Sequence, residues 1–278
     1  MGIGYKYADW LIKRRIMEVI KFYSPQQERL EKILDDYMAW HKEKMLPLYL
    51  KEVRRVASRV EKFKDANGPE ENISAEEVHT FLLNTRKLYL DSFIPLSHRV
   101  SPLLSELGEE QLERSRTLIN RKMDELKERA ELSKEDFHEE MKETWEDNLE
   151  DWYGELSETQ KKLLNENLDS LLSSPKVRFA RGGRRTLEFF AVFEDTPLSK
   201  DDSKDKNKVA KVYEKRTKAL KEFFNHWSEK RPYDKWRKNI ASFMAKFLAT
   251  LSAEQKLFFY NKIKGWEKSL EELVEVKS

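Results

Sequence analysis

The stretch Leu156-Ser157-Glu158-Thr159-Gln160 has the form of a helix start, and three further stretches of the chain share that form. They are Tyr23-Ser24-Pro25-Gln26-Gln27, Leu107-Gly108-Glu109-Glu110-Gln111 and Leu251-Ser252-Ala253-Glu254-Gln255. In a capping box, a Ser accepts a hydrogen bond from a free backbone N–H, and a Gln three residues later accepts one from the N–H of the cap residue. The pattern predicts a helix start at each stretch, with Ser24 as one of the caps and Gly108 as the weakest of them.

The rest of the chain is also patterned as helix. Apolar residues recur at helical spacing along most of its length, and the 278 residues include only eight Gly and eight Pro, so turns are few. No segment alternates apolar and polar residues as a strand does. We therefore predict an all-α fold of about ten helices with no sheet, either one elongated multi-helix domain or two closely packed helical halves.

Three prolines predict where helices end. Pro47 should break or kink a helix near Leu46, because proline removes a backbone donor and clashes with the preceding turn. For the same reason, Pro95 and Pro102 should interrupt the helix that begins at Ala75.

One strongly polar run divides the predicted helices into two groups. Residues 196–208 contain a single large apolar side chain, Leu198, so we expect an exposed loop there. The loop would separate an N-terminal helical region, 1–195, from a C-terminal helical region, 209–278, which packs on the first.

Composition excludes several function classes. The chain has 53 Lys and Arg against 51 Asp and Glu, a net charge of +2, whereas a nucleic-acid binder needs a clear cationic excess. It has no Cys, which excludes disulfides, thiolate metal sites and a Cys nucleophile. No apolar run approaches the roughly 18 residues that a membrane span requires. The five His show no metal-ligand spacing, so we expect neither a metal nor another cofactor.

Two residues could carry acid–base chemistry. His41 could act as a general base, but no partner at a recognisable spacing would orient it, so we favour a structural role near Pro47. Asp9, beside Trp10, could have a functional pKa in an aromatic setting. We favour an ion pair of Asp9 with an arginine that fixes helix packing.

A cluster of arginines surrounds Gly182-Gly183. Its members could bind phosphate or carboxylate groups, and they are Arg178, Arg181, Arg184 and Arg185. The pair of glycines lacks the spacing of a phosphate-binding loop. The alternative that we favour is an arginine face that pairs with acidic neighbouring helices.

The first sixty residues resemble an uncharacterised family of Gram-negative lipoproteins. The resemblance rests on a Tyr…Asp-Trp element, a Gln-containing helix start and a Trp-His…Leu-Pro-x-Tyr element. Its residues are Tyr5, Asp9, Trp10, Gln27, Trp40, His41, Leu46, Pro47 and Tyr49. It implies a secreted precursor, lipidated on a Cys just before the mature sequence and held at the periplasmic side of the outer membrane. The chain lacks that Cys, which fits a soluble form.

The capping stretches carry a second likeness. Leu-Ser/Thr-x-x-Gln is the hallmark of periplasmic chaperones of the Spy and CpxP type, and Leu156–Gln160 and Leu251–Gln255 match it fully. The interpretation that we favour is a good helix start, since a capping box explains the pattern fully. We expect a periplasmic, lipid-anchored helical protein that binds other proteins or envelope components as a scaffold or chaperone, and not nucleic acid. The alternative is an enzyme that acts on an envelope polymer or lipid through Asp9, His41 or the arginine cluster.

Overall fold

A computed structural model describes residues 5, 7–65, 68, 71–172, 175–198, 204–229 and 234–275. This part of the chain contains eleven helices and no strand, which confirms the predicted all-α fold. The helices are α1 Ala8–Met17, α2 Ser24–Lys44, α3 Leu46–Lys64, α4 Ala75–Ser105, α5 Glu109–Glu131, α6 Lys134–Tyr153, α7 Glu158–Leu171, α8 Pro175–Glu194, α9 Lys206–Glu229, α10 Asp234–Leu248 and α11 Ala253–Glu275.

The predicted capping boxes begin α7 and α11. At α7, the Ser157 hydroxyl accepts a hydrogen bond from the Gln160 backbone N–H at 3.3 Å. In return, Gln160 Oε1 accepts one from the Ser157 N–H at 2.9 Å. Ser252 and Gln255 repeat the exchange at 3.2 and 3.1 Å. Each exchange satisfies two backbone donors that the first helical turn would otherwise leave free.

The predicted cap of α2 is wrong by one residue. Tyr23, not Ser24, is the N-cap, since the Tyr23 backbone is extended and its N–H donates to Gln26 Oε1 at 3.0 Å. Gln27 instead donates through Nε2 to the Phe22 carbonyl at 2.8 Å. Because Gln26 and Gln27 are adjacent, the sequence allows the capping box to begin at either Tyr23 or Ser24. The extended backbone at Tyr23 makes Tyr23 the N-cap.

The prolines divide into one that breaks a helix and two that do not. α2 ends at Lys44 and α3 begins at Leu46, so the break predicted at Pro47 is confirmed. The interruptions predicted at Pro95 and Pro102 are wrong, because α4 continues through both. The C-terminal half of α4 is buried against neighbouring helices, and this packing outweighs the roughly 3 kcal/mol that a proline costs inside a helix.

Two hydrophobic cores share the long helix α4. The first core collects α1, α2, the end of α4, and side chains of α8 and α9; Leu103 of α4 is fully buried in it. The second collects α3, α6, α7, α10 and α11, and Val78 from the start of α4 packs against it. Helices of the region 209–278 contribute to both cores.

Of the predicted loop 196–208, residues 199–203 lie outside the described residues, and the division of the chain there stays a prediction.

A buried arginine ties together helix ends around the first core. Arg216 of α9 is 5% exposed. Its guanidinium donates to the Thr196 carbonyl at 2.9 Å, beyond the end of α8, and to the Ser105 carbonyl at 3.2 Å, at the end of α4. Carbonyls at helix C-termini carry partial negative charge, so they stabilise a cation there.

No helix in the described part of the chain is long and apolar enough to cross a membrane.

Candidate functional site

The structure places His41 between two tyrosine hydroxyls. Tyr5 Oη lies 3.1 Å from His41 Nδ1, and Tyr49 Oη lies 3.2 Å from Nε2. Tyr49 stands on α3, two residues beyond Pro47, so this contact joins α3 to the end of α2. Both ring nitrogens are hydrogen-bonded, and the imidazole presents no free nitrogen to a substrate.

Burial keeps this cluster uncharged. It lowers the pKa of His41 below its usual value, so the ring is neutral at pH 7, with one nitrogen donating and the other accepting. Burial, with smaller contributions from the neighbouring Tyr37 and Tyr49, raises the pKa of Tyr5 to about 12. The tyrosines therefore remain protonated at neutral pH and act as hydrogen-bonding groups.

Three further residues support the cluster, and sequence reasoning missed them. Tyr37 lies one helical turn before His41, and its hydroxyl is 2.7 Å from Ser92 Oγ of α4. The Arg99 guanidinium lies 4.9 Å from the ring centroid of Trp40. The spacing of four between Tyr37 and His41 could have indicated a shared face, whereas the contacts from α4 are long-range and left no local signal.

Among the remaining residues of the sequence motif, Leu46 joins this cluster. It is buried with Leu50 and Leu270 in a small core against which Tyr5 and Tyr49 pack, whereas Pro47 is exposed. Trp10 is exposed on α1 with the Arg14 guanidinium 5.5 Å from its ring centroid. Asp9 is half-buried in the first turn of α1 and forms no ion pair with any described residue, so the expected arginine partner is not found there.

The arginine cluster lies along α8, which runs through both glycines without a break. Arg184 pairs with Glu188 at 3.7 Å, Arg181 and Arg185 are half-buried and engaged by neighbours, and the Arg178 side chain lies outside the described residues. A Cβ at Gly182 would lie 2.9 Å from Met123 Sδ. Gly182 therefore lets α8 approach α5 closely.

The four capping stretches meet in two pairs. In the first cap pair, Gln111 donates through Nε2 to Gln26 Oε1 at 2.7 Å. In the second, Gln160 donates through Nε2 to Gln255 Oε1 at 2.9 Å. Gln111 and Gln160 are buried, so the glutamines of the boxes hold helix starts together. The sequence predicted each start but could not predict which starts would pair.

An open cavity of about 460 Å³ lies beside the second cap pair. Two glutamates and apolar side chains line it together with the loop between α6 and α7. The lining residues are Tyr153, Gly154, Glu155, Leu156, Ser157, Ser252, Glu254, Gln255 and Phe258.

Two exposed aromatic rings of α11 and a half-buried ring of α6 lie near this cavity. Phe258 and Trp266 stand eight residues apart on α11, so they share a helix face, and they are 47% and 42% exposed. Trp152 of α6 packs on Trp266 with ring centroids 5.4 Å apart. Lys262 lies between them over the Trp152 ring, paired with Asp151 at 2.7 Å. We call Trp152, Phe258 and Trp266 the aromatic stripe.

Comparison with known families assigns the chain to one of them. A model described as a family of unknown function, DUF6279, matches residues 18–202, more than half of the chain. The chain belongs to this family. Membership agrees with the expected relation to an uncharacterised family. No curated protein and no solved structure matches the chain.

The DUF6279 match covers both candidate sites in part. It includes His41 and Tyr49 but not Tyr5, and it includes Glu155 of the cavity but ends before Phe258 and Trp266. In the described residues, no group of three or more His, Cys, Asp or Glu could hold a metal ion. The cavity and the aromatic stripe offer apolar and aromatic contact, and two glutamates line the cavity.

Proposed function

We propose that this DUF6279 protein binds other proteins and holds their apolar segments against the aromatic stripe. The observation that carries the proposal is that Phe258, which lines the open cavity, and Trp266 are both exposed on α11. Clustered exposed aromatic rings supply large apolar contact area, which is typical of protein interaction sites. An extended segment could lie along α11, with one side chain in the cavity and others on Trp152 and Trp266.

The geometry favours binding over the enzymatic alternative. An enzyme that used Asp9, His41 or the arginine cluster would need a pocket that brings two of these groups to a substrate. None of them lines the cavity, and both His41 nitrogens already bond tyrosine hydroxyls.

The cellular setting that we propose is the periplasmic side of the Gram-negative outer membrane, with a lipid anchor on the native precursor. The sequence resemblance to lipoproteins supports this setting, and the lack of Cys is compatible with an oxidising compartment. The likeness of the capping stretches to those of Spy and CpxP supports a chaperone-like or scaffolding role. The partners are then proteins or other envelope components.

The test is suppression of aggregation of a chemically denatured test protein. We expect the double variant Phe258→Ser, Trp266→Ser to need at least about tenfold more protein for equal suppression, because burying each ring contributes roughly 1.5–3 kcal/mol. Leu187→Ser is the matched control, since Leu187 is 68% exposed on α8, a helix of the first core. Equal suppression by the double variant and the wild type, at equal melting temperature, would contradict the proposal.

A further inference from the structure

The two cap pairs are built alike around their buried glutamines. Glu106-Leu107-Gly108-Glu109-Glu110-Gln111 in the first pair corresponds to Glu155-Leu156-Ser157-Glu158-Thr159-Gln160 in the second. Leu107 and Leu156 are both buried. Each buried glutamine donates to the carbonyl two residues before the partner cap, Gln111 to Lys21 and Gln160 to Thr250. Glu106 and Glu155 therefore occupy equivalent places, each two residues before an N-cap.

In the first cap pair, an arginine of the same chain binds the carboxylate of Glu106. Arg29 stands six residues after the N-cap Tyr23, and its guanidinium donates two hydrogen bonds of 2.6 Å to the Glu106 carboxylate. This is the two-pronged geometry that arginine forms with carboxylates.

The second cap pair has the carboxylate without the arginine. The residue six positions after the N-cap Ser252 is Phe258, not a basic residue. No described side chain forms an ion pair with Glu155, and Glu155 and Glu254 both line the open cavity beside Phe258. Neither Lys nor Arg lines it, so the charged side chains of the lining are both acidic.

We propose that this cavity takes the guanidinium of an arginine from a bound protein segment, in the place that Arg29 fills in the first cap pair. Glu155 binds the guanidinium as Glu106 binds Arg29, and Phe258 packs against its flat face or its apolar stem. The residues next to that arginine in the segment are apolar, because they lie on the aromatic stripe. The inference rests on the proposed function and specifies the segment that the stripe accepts.

Isothermal titration calorimetry with two synthetic peptides tests the inference. One is acetyl-Gly-Ser-Leu-Phe-Arg-Phe-Leu-Ser-Gly-amide, and the other carries Gln in place of Arg. The wild type should bind the Arg peptide about tenfold more tightly, since a hydrogen bond to a charged group contributes that much or more. Glu155→Gln should remove the preference, whereas the control Glu109→Gln, an exposed glutamate at the start of α5, should keep it.

One exchange between the cap pairs sharpens the test. Phe258→Arg should fill the cavity by pairing with Glu155, as Arg29 pairs with Glu106, and should weaken binding of the Arg peptide at least about tenfold. Equal affinity for both peptides, or a preference that Glu155→Gln leaves intact, would overturn the inference and leave the proposed function standing. Binding of neither peptide to the wild type would contradict both.

Discussion

The side chains of Gln160 and Gln255 bind each other across the starts of two helices that are far apart in the chain. Gln160 Nε2 lies 2.9 Å from Gln255 Oε1, and Gln255 Nε2 lies 3.1 Å from Gln160 Oε1. Each Oε1 also accepts from its own cap, and each Nε2 reaches a carbonyl of the opposite loop, that of Thr250 or Glu155. All donors and acceptors of both amides are therefore used, which joins α7 to α11 beside the cavity.

The first prediction is that the paired glutamine contributes more stability than its capping serine. Ser157→Ala should lower the free energy of unfolding by about 1 kcal/mol, because one backbone N–H loses its acceptor. Gln160→Ala should cost about 2–3 kcal/mol, because it leaves several buried groups unsatisfied. Urea denaturation measures both, with exposed Thr159→Ala as the control.

The coupling between the two amides should also be measurable. The double variant Gln160→Ala, Gln255→Ala should cost less than the two single variants added together, since either one breaks the shared bonds. Strictly additive losses would show that the two helix starts are stabilised independently.

The second prediction concerns Arg216. Arg216→Met should lower the free energy of unfolding by roughly 1–3 kcal/mol, because the carbonyls of Thr196 and Ser105 lose a buried donor. Lys218→Met on the exposed side of the same helix is the control. If the two variants denature at the same urea concentration, Arg216 does not hold the ends of α4 and α8 together.

The sequence allowed correct predictions wherever a local pattern determined the structure. The boxes at Ser157 and Ser252 lie where Ser-x-x-Gln predicts helix starts, and Pro47 separates two helices. One failure was local, since the adjacent Gln26 and Gln27 left the cap of α2 open between Tyr23 and Ser24. The failures at Pro95 and Pro102 came from longer-range effects. Packing on both sides carries α4 through Pro95 and Pro102, which no local rule could anticipate.

The candidate sites depended on contacts between distant residues. His41 was identifiable as a candidate from the sequence, but its position between Tyr5 and Tyr49 required the fold. Phe258 and Glu155 were not singled out, because an exposed aromatic residue and a glutamate before a helix are common in any chain. Glu155 and Phe258 become a candidate site only by comparison with Glu106 and Arg29, which hold the corresponding places in the first cap pair. This comparison requires the fold, because it depends on which helix starts pair.

The third prediction is that His41 makes stability depend on pH. Burial lowers its pKa in the folded chain below the usual 6.5. At a pH between the folded and the unfolded pKa, the unfolded chain binds a proton at His41 and the folded chain does not. The contribution of His41 to the free energy of unfolding is therefore complete above about pH 6.5 and declines as the pH falls. His41→Gln should weaken the fall in melting temperature between about pH 7 and pH 5. An unchanged or steeper fall would contradict the assignment of a buried, neutral ring.

The fourth prediction separates the two glycines of α8. Gly183→Ala should raise the free energy of unfolding by roughly 0.5–1 kcal/mol, because alanine favours helix and the nearest atom to its Cβ, Met123 Cε, is 3.8 Å away. Gly182→Ala should raise the free energy of unfolding by less, since Met123 Sδ, 2.9 Å from the added Cβ, would have to move. Thermal unfolding of both variants decides the matter, and a larger gain at Gly182 would show that the helices do not pack closely there.

The most direct test of the central claim locates the bound protein on the surface. The photo-crosslinking residue p-benzoylphenylalanine is placed at position 258 or, as the control, at position 187, and each variant is irradiated with a reduced and carboxymethylated test protein that stays unfolded. We predict abundant crosslinks from position 258 and few from position 187, because the aromatic stripe and its cavity hold the unfolded segment. Equal crosslinking from both positions, or crosslinking from position 187 alone, would contradict the account.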